Sequence, residues 1–346
     1  MTRPELRLSS SSLRANIAVV RRRISPSNLM LVLKDDAYGH GLAWVVDTAL
    51  QEGVEWFGSY DIRSGLAVRR VAGGDVRIFA WATSTDDEID EALLHDIDLG
   101  VGTIEYLRRI IARAAVVGAS ARVHLKIDTG LHRNGVLPAD WATAVAEARE
   151  AERNGLVDLV GVWSHIAEAS DAEDDAAQVV FLDAVRIVEE SGPSPVAVHL
   201  TASAASWWRP ELRGTVSRIG AFCYGIRSAD GPELEGIVPV ASLVATVTEM
   251  TDDGVYIGIG SFDGLPSTLT GASVGTPAGA RVLRSVGHTA SVVEGWPGVR
   301  VGDEVVLFGA GPQGESSATT LAERIDTVGE EILTRLTARV RRVVRD

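Results

Sequence analysis

The lysine at position 34 is the first residue whose type and place could carry out chemistry. It directly follows the apolar run Leu29–Leu33, which predicts a buried strand, and it opens a polar, glycine-containing turn that extends to Gly41. An unpaired ammonium group is costly to bury, whereas a desolvated lysine loses its charge readily and can form a Schiff base. The sequence therefore predicts a catalytic lysine. The alternative is a lysine that extends its charge into solvent from the end of the strand.

Other polar residues with catalytic potential accompany apolar runs further along the chain. They are Lys126 and Arg133 at a fifth run, His165 after a sixth, Ser203 after a seventh and Arg218 in an eighth. The guanidinium group of an arginine suits a carboxylate ligand, which it binds through two parallel hydrogen bonds. A histidine that follows an apolar strand is, taken alone, more often structural than catalytic.

Eight short apolar runs alternate with helix-like segments up to about residue 230, a pattern typical of parallel βαβ units. Eight such repeats predict a TIM (β/α)8 barrel, whose active sites lie at the C-terminal ends of the strands. A doubly wound sheet is the alternative, but no early glycine-rich phosphate loop supports it. Amphipathic segments such as Trp141–Arg153 and Ala176–Glu190 predict helices between the strands. The predicted strands lie near Met30–Leu33, Trp56–Ser59, Val76–Ala80, Asp98–Gly102, Arg122–Ile127, Leu159–Trp163, Val196–Leu200 and Val216–Gly220.

The character of the chain changes after Pro232. Runs rich in valine, threonine and glycine alternate with turn residues there, which predicts a mainly antiparallel β domain. We therefore predict two domains, the barrel over residues 1–232 and a smaller β domain over residues 233–346. The β-domain runs are Val240–Met250, Val255–Gly260, Arg281–Val286 and Asp303–Phe308.

Charge and cysteine content argue against several classes of function. The 346 residues carry a formal net charge of -14, which disfavours a nucleic-acid or anionic-membrane partner. The single cysteine, Cys223, allows no internal disulfide and is typical of a reducing compartment. We find neither the apolar core of a signal peptide nor a membrane-spanning run of about 18 apolar residues. We expect a cytoplasmic protein with no membrane partner and no bound metal.

The segment from Lys34 to Gly41 reads Lys-Asp-Asp-Ala-Tyr-Gly-His-Gly and resembles the pyridoxal-phosphate motif of the alanine racemase family. The resemblance implies that Lys34 carries pyridoxal 5'-phosphate as a Schiff base and that Tyr38 contacts the phosphate of the cofactor. Asp35 stands where the family motif has an alanine. The segment Lys126–Gly135 resembles the family's lysine–aspartate–threonine–glycine segment in the same way.

Roles for further residues are implied by this resemblance. Arg133 binds the carboxylate of the substrate, and Lys126 is the lysine that is often carbamylated beside it. His165 lies flat against the cofactor ring. Arg218 faces the pyridine nitrogen, and because an arginine does not give up its proton, that nitrogen stays neutral. The cofactor then becomes a weaker electron sink, which favours reprotonation at Cα over side reactions such as transamination.

The phosphate of the cofactor has three further ligands by resemblance. They are the side chain of Ser203 and the backbone N–H groups of Gly220 and Ala221. A phosphate site after the seventh and eighth strands is also what a TIM barrel itself predicts.

Three positions in the predicted β domain depart from the family. Its second catalytic base, a tyrosine from the partner subunit, is replaced by Ser261, whose hydroxyl is a far poorer acid–base catalyst than a phenol. His288 lies in the place of a substrate-binding methionine–aspartate pair, and Glu330 replaces a tyrosine that touches the phosphate. We hypothesise that His288 and Ser261 together replace the missing tyrosine, with the imidazole acting directly or activating the hydroxyl. A histidine without a catalytic part is the alternative.

The resemblance as a whole implies a homodimeric, pyridoxal-phosphate-dependent isomerase with shared active sites. We expect it to interconvert the L- and D-forms of alanine or another small amino acid after proton removal from Cα. One alternative is one-base chemistry at Cα, of the aldolase or decarboxylase type, which the loss of the tyrosine favours. A second alternative is a non-catalytic protein that binds the cofactor.

Overall fold

A computed structural model describes residues 3–345, which form two compact units. The barrel unit consists of Val20–Lys34 and Leu42–Gly220. The β unit contains the chain up to Val19, the short segment Asp35–Gly41 and the chain from Ala221 onward. These units follow spatial contacts, and the sequence boundary between residues 232 and 233 stays a prediction.

The barrel unit contains a parallel sheet of eight strands, at the places where the sequence predicts them. The first strand pairs with both the second and the eighth, and every other neighbouring pair is hydrogen-bonded except the seventh and eighth, so the sheet is a nearly closed barrel. The predicted TIM-barrel fold is therefore confirmed. In chain order, the barrel strands are Asn28–Val32, Trp56–Tyr60, Arg77–Ala80, Ile97–Val101, Ala121–Lys126, Val157–Trp163, Ala197–His199 and Val216–Ile219.

Helices follow the barrel strands, and Ile104–Val117 shows why these segments are helical. The side chain of Thr103 caps its first turn by accepting from the backbone N–H of Tyr106, and Gly118 ends it in a left-handed conformation with φ 75. The helices of the barrel unit are Leu42–Gln51, Ile62–Ala72, Asp86–Leu94, Ile104–Val117, Pro138–Arg153, Asp171–Ser191 and Ser203–Trp208, with a 3-10 turn at Pro210–Leu212. A further helix, Ser10–Ile24, begins in the β unit and ends in the barrel unit.

Large apolar side chains fill the interior of the barrel. Met30, Phe79 and Trp163 are buried there and pack with the partly buried Trp56 and Trp81. Complete burial of one such side chain contributes about 1.5–3 kcal/mol, so this cluster holds the strand ends in fixed places. The same interior also contains buried polar side chains, which belong to the site described below.

The β unit contains a second sheet of eight strands, mainly antiparallel, and the predicted β domain is confirmed. One member comes from the other end of the chain, because Glu5–Ser9 lies between Ala241–Thr251 and Arg341–Arg345. The remaining strands are Gly254–Ile257, Ser273–Thr276, Gly279–Val286, Ser291–Val293 and Glu304–Phe308, and the helices are Ala318–Arg324 and Gly329–Thr334. Short 3-10 turns lie at Ala221–Tyr224, Ser261–Asp263 and Ser267–Leu269.

A left-handed turn, Lys34–Tyr38, follows the first barrel strand. Asp35, Asp36, Ala37 and Tyr38 have φ between 54 and 55, a conformation that costs roughly 1–2 kcal/mol for each L-residue. Contacts within the β unit offset this strain, since Arg342 Nε donates to the carbonyl oxygen of Gly39 at 3.0 Å. The backbone just after the lysine is thereby fixed in one unusual conformation.

Two features are absent from residues 3–345, the part of the chain that the structure describes. No helix in this range is long and apolar enough to span a membrane. The same range contains no group of three or more histidine, cysteine, aspartate or glutamate side chains that could hold a metal ion.

Candidate active site

Lys34 follows the first barrel strand, and Leu33 beside it is held by a 2.8 Å hydrogen bond from its backbone N–H to the carbonyl oxygen of Gly58. The lysine side chain is half-buried. Its positive charge acts on His165, which follows the sixth strand, and helps to lower the pKa of that imidazole. The structure therefore brings these two predicted residues together at the C-terminal end of the barrel.

Lys126 ends the fifth barrel strand in a buried position. Its Nζ lies 4.7 Å from the ring centroid of Trp163. Burial, followed by the nearby charges of Arg133 and Arg218, lowers the pKa of Lys126 to about 8. A substantial fraction of this amine is therefore neutral near pH 8, which is the form that could react with carbon dioxide.

The loop after Lys126 is shaped by the carboxylate of Asp128. Its Oδ1 accepts from the backbone N–H groups of Gly130 and His132 at 3.0 and 3.1 Å, and its Oδ2 lies 2.8 Å from His132 Nδ1. These contacts order the segment that carries Arg133. Arg133 itself is exposed, as a residue that receives the carboxylate of an incoming ligand must be.

Arg218, on the eighth strand, is buried and makes hydrogen bonds to carbonyl groups around the barrel. Its NH1 donates to the carbonyl oxygen of His199 at 2.8 Å, and its NH2 donates to those of Ser164 and Leu200 at 2.7 and 3.1 Å. NH2 also lies 3.3 Å from His165 Nδ1. Because an arginine only donates, this ring nitrogen of His165 is the acceptor, and His165 is a neutral imidazole.

Burial also governs the charge states of these two groups. It lowers the pKa of His165 to about 3, and the charges of Arg218, Arg133, Lys126 and Lys34 act in the same direction. Burial lowers the pKa of Arg218 to about 9, with Glu168 opposing and Arg133 adding to the effect. At pH 7 the arginine is protonated and the histidine is neutral.

The donors of Arg218 fit the pyridine ring of the cofactor that the sequence implies. Its two NH2 groups are engaged as described, whereas its Nε–H makes no hydrogen bond within residues 3–345. An N–H donor that becomes enclosed when the site is filled requires an acceptor there. A ring nitrogen is an acceptor of the right kind, which supports the predicted role of Arg218.

The four predicted phosphate residues form two contacts, one in each unit. In the barrel unit, the backbone N–H of Gly220 donates to Ser203 Oγ at 3.2 Å. In the β unit, the backbone N–H of Ala221 interacts with the Tyr38 hydroxyl, and burial raises the pKa of that phenol. Backbone N–H groups and hydroxyls are the donors that a phosphate requires.

Ser261 and His288 lie on neighbouring segments of the β unit. The backbone N–H of Ser261 donates to the carbonyl oxygen of Gly287 at 2.8 Å, and the backbone N–H of Phe262 donates to the carbonyl oxygen of His288 at 2.9 Å. The imidazole of His288 is exposed and stacks on the Phe262 ring, with 5.0 Å between centroids. The structure therefore brings the two segments together and places the histidine ring against Phe262, and the joint role of His288 and Ser261 stays a hypothesis.

Glu330 is half-buried near the start of the helix Gly329–Thr334. Its negative charge adds to burial in raising the pKa of Tyr38. The carboxylate that replaces the family's tyrosine thus acts on a residue that is predicted to bind phosphate.

Three polar residues inside the barrel were not singled out from the sequence. Asp98, His124 and His199 are fully buried on the fourth, fifth and seventh strands. Each is a polar residue within or at the end of an apolar run, and that placement is the signal that could have identified them. Among them, His199 contacts Arg218 directly.

Comparisons with known proteins agree with this arrangement. Residues 8–228 match the family model described as alanine racemase, N-terminal domain, and residues 245–344 match the one described as alanine racemase, C-terminal domain. The alanine racemase of Thermobifida fusca (strain YX) is 34% identical over 364 aligned residues, which cover 98% of this chain and 97% of the relative. The alanine racemase of Beutenbergia cavernae is 35% identical over 360 residues, covering 95% and 94%.

Solved structures give the same result. The crystal structure of alanine racemase from D-cycloserine-producing Streptomyces lavendulae superposes with a TM-score of 0.90 at 30% identity, covering 100% of this chain and 98% of that one. Alanine racemase from Streptomyces coelicolor A3(2) superposes with a TM-score of 0.91 at 29% identity, covering 99% and 98%. The predicted racemase-like function is supported, and neither one-base chemistry nor a non-catalytic role is favoured. The chain belongs to the alanine racemase family.

Proposed function

We propose that this protein is a pyridoxal-phosphate-dependent racemase of alanine or another small amino acid, with Lys34 and a β-unit group on opposite faces of the substrate. The observation that carries the proposal is the buried, protonated Arg218, whose Nε–H is available beside a histidine on which the charge of Lys34 also acts. An arginine in this place keeps the ring nitrogen neutral, which disfavours the competing transamination.

The cofactor, when bound, supplies an electron sink for the pair of electrons left at Cα. Lys34 is the residue that would hold the cofactor covalently, through Nζ. As a free amine, Lys34 would be the base that takes the Cα proton on one face. The guanidinium of Arg133 holds the substrate carboxylate so that the Cα–H bond faces this amine.

The opposite face requires a second proton carrier. We assign this role to the segments that carry Ser261 and His288, with the imidazole as the stronger candidate because a histidine exchanges protons near neutral pH. His165 remains neutral and packs beside Arg218, and a carbamate on Lys126 would orient Arg133. Tyr38, Ser203 and the backbone N–H groups of Gly220 and Ala221 are the proposed phosphate ligands.

The assembly and location that we propose follow from the family. We propose a homodimer in which each β unit serves the active site of the partner, because the second base of the family comes from the partner subunit. We further propose that the enzyme works in the cytoplasm, in keeping with its single, buried Cys223.

The decisive experiment incubates the cofactor-loaded protein with L- and D-alanine in deuterated water. Proton NMR then follows loss of the Cα proton, and chiral chromatography follows inversion. Exchange with inversion is the expected result, and His288→Ala should slow it more than Ser261→Ala does. Exchange with complete retention would leave one base at work, and no exchange across a panel of amino acids would overturn the proposed activity.

The attachment point can be tested separately, because the chain contains only two lysines, Lys34 and Lys126. Borohydride reduction of the loaded protein should fix the cofactor on the peptide that contains Lys34. Peptide mass spectrometry would show this directly, and attachment to Lys126 would contradict the assignment.

A further inference from the structure

Four buried side chains of the barrel unit are hydrogen-bonded in series. Arg218 NH1 lies 3.0 Å from His199 Nδ1, and His199 Nε2 lies 2.8 Å from His124 Nδ1. His124 Nε2 lies 3.2 Å from Asp98 Oδ2. The series crosses the interior of the barrel from the eighth strand to the fourth.

The chemistry of the two ends determines where every proton in this series lies. An arginine is only a donor, so His199 Nδ1 must accept and its Nε2 must carry the proton. His199 therefore donates to His124 Nδ1, and His124 in turn donates from Nε2 to the carboxylate of Asp98. All three hydrogen bonds point in one direction, from Arg218 to Asp98, and both imidazoles are neutral Nε2–H tautomers.

Packing holds the two rings in this orientation. A Cβ atom on Gly161 would lie 2.1 Å from His124 Nδ1, so the sixth strand admits only glycine beside this ring. Trp163 stacks on His199 with an interplanar angle of 11°, and Phe79 meets the same imidazole edge-on. Burial lowers the pKa of both histidines, which keeps them neutral.

Asp98, at the far end of the series, carries a negative charge that two arginines stabilise. Asp98 Oδ2 accepts from Arg77 NH2 at 2.7 Å, and Oδ1 accepts from Arg122 Nε at 2.6 Å. Burial raises the pKa of Asp98, but the hydrogen bond from His124 and the charges of Arg77 and Arg122 outweigh it, so the net pKa is lowered. Asp98 is therefore an anion at neutral pH.

In the described part of the chain, Arg218 has the charge of Glu168 nearby but no carboxylate among its own hydrogen-bond partners. Within residues 3–345, all of its hydrogen bonds go to carbonyl oxygens and imidazole nitrogens, and none goes to a carboxylate. A buried cation is stabilised by a connected anion, and hydrogen bonds in series polarise one another in a medium of low dielectric constant.

We propose that Asp98, His124 and His199 are positioning residues for Arg218: a one-way series of donors that links the buried guanidinium to a remote carboxylate and fixes how its Nε–H is presented. This inference rests on the proposed function, since it gives Arg218 the task of facing the ring nitrogen. The series sets the orientation and protonation of Arg218 without touching cofactor or substrate.

The first test is independent of activity and needs no cofactor. The seven histidines are labelled with 15N, and the resonances of His124 and His199 are assigned with one substitution each. Both residues should show a protonated Nε2 and a bare Nδ1 from about pH 5 to pH 9, without titrating. A protonated Nδ1 on either residue, or a charged imidazole in this range, would overturn the proposal even if the wild-type enzyme proves to be a racemase.

The second test compares two neighbouring carboxylates. Asp98→Asn keeps an oxygen acceptor but removes the charge, and Asp96→Asn is the matched control, because Asp96 also pairs with Arg122 but lies outside the series. We expect Asp98→Asn to lower kcat by roughly 10- to 100-fold with little change in KM, the range for loss of an outer partner of a catalytic group. Asp96→Asn should stay within about twofold. Equal effects of the two substitutions would contradict the proposal.

A pair of substitutions at His124 guards against a variant that fails to fold. His124→Gln retains one acceptor and one donor, whereas His124→Phe retains bulk without either. Among variants that unfold cooperatively on heating, kcat should fall further for His124→Phe than for His124→Gln. The His199 resonance should shift only in His124→Phe. The reverse order would show that the ring matters for packing alone. A wild-type enzyme without racemisation, but with the expected tautomers, would instead count against the proposed function.

Discussion

The proposed functional residues of the barrel unit and those of the β unit have opposite surroundings. In the barrel unit, Lys126, His165 and Arg218 are buried or nearly so, and their surroundings shift the pKa of each. In the β unit, Ser261 is half-buried and His288 is exposed. By the resemblance in sequence, the barrel residues keep the types that the family motifs have, whereas Ser261, His288 and Glu330 depart from them.

This difference teaches which part of such a site is free to change. A buried side chain with several hydrogen bonds is constrained by all its neighbours, since a new residue would leave some of them without a partner. An exposed side chain on a loop carries no such constraint. We therefore infer that the barrel fixes the common chemistry, while the β unit sets the second proton carrier and the substrate.

The largest expected effect tests the barrel half. Lys34→Ala should lower racemisation by more than about 10⁴-fold, because it removes both the covalent attachment and the first base. The measurement is chiral analysis with L- and D-alanine at saturating cofactor. Circular dichroism should show the fold unchanged. A residual activity above about a tenth of the wild-type activity would assign the first base to another residue.

The next effect tests the β-unit half. Ser261→Tyr should raise kcat/KM by roughly 10- to 100-fold, because it adds a phenol as a proton carrier on the face that the imidazole of His288 is proposed to serve. Ser261→Phe is the matched control, with the same ring and no hydroxyl. If the two variants are equally active, position 261 does not face the reacting carbon and the comparison between the two halves must be redrawn.

The third prediction concerns the pH dependence of stability. The folded-state pKa of Lys126 is lowered from 10.5 to about 8, so the unfolded chain binds more protons between these values and stability rises with pH there. Lys126→Met removes the cost of burying the charge and should stabilise the protein by about 1–3 kcal/mol at pH 7.

This advantage should shrink between pH 8 and pH 10.5, as thermal or denaturant unfolding in bicarbonate-free buffer would show. Lys126→Arg is the control, because its guanidinium stays charged throughout this range. An advantage of Lys126→Met that is independent of pH would mean that packing, rather than charge, is responsible.

The smallest effect concerns the phosphate. Glu330→Gln removes a negative charge that acts on Tyr38 and should tighten cofactor binding by about two- to fivefold, as measured by fluorescence titration. Glu331→Gln, one residue further along the same helix, is the matched control, because its carboxylate is engaged by Arg335 at 3.0 Å. Tighter binding in both variants would indicate a general effect of net charge.

Most of the barrel was predictable, because its strands are short apolar runs separated by amphipathic helices. The strand predicted near Trp56–Ser59, for example, is observed at Trp56–Tyr60. The residues at strand ends were predictable for the same reason, since a TIM barrel collects them at one end. The roles of individual residues came from the resemblance to the family and remain proposals.

Two features could not be predicted from the sequence because they depend on contacts between distant parts of the chain. The series from Arg218 to Asp98 joins strands that are far apart in sequence, and although each histidine accompanies an apolar run, nothing local to it shows which residues it contacts. The left-handed turn Lys34–Tyr38 contains no glycine, and Gly39 is the only glycine directly beside it. No turn signal in the sequence predicts four successive residues with positive φ.

The position of Glu5–Ser9 in the sheet also constrains how the protein is made. Its neighbours on either side are Ala241–Thr251 and Arg341–Arg345, so neither partner exists until at least about 230 further residues have been synthesised. At about 5–20 residues per second this takes on the order of 10–50 s, during which Leu6 and Leu8 have no strand partner. The strand is short and alternates these leucines with Glu5 and Arg7, which limits the risk that it pairs with another chain before its own partners are synthesised.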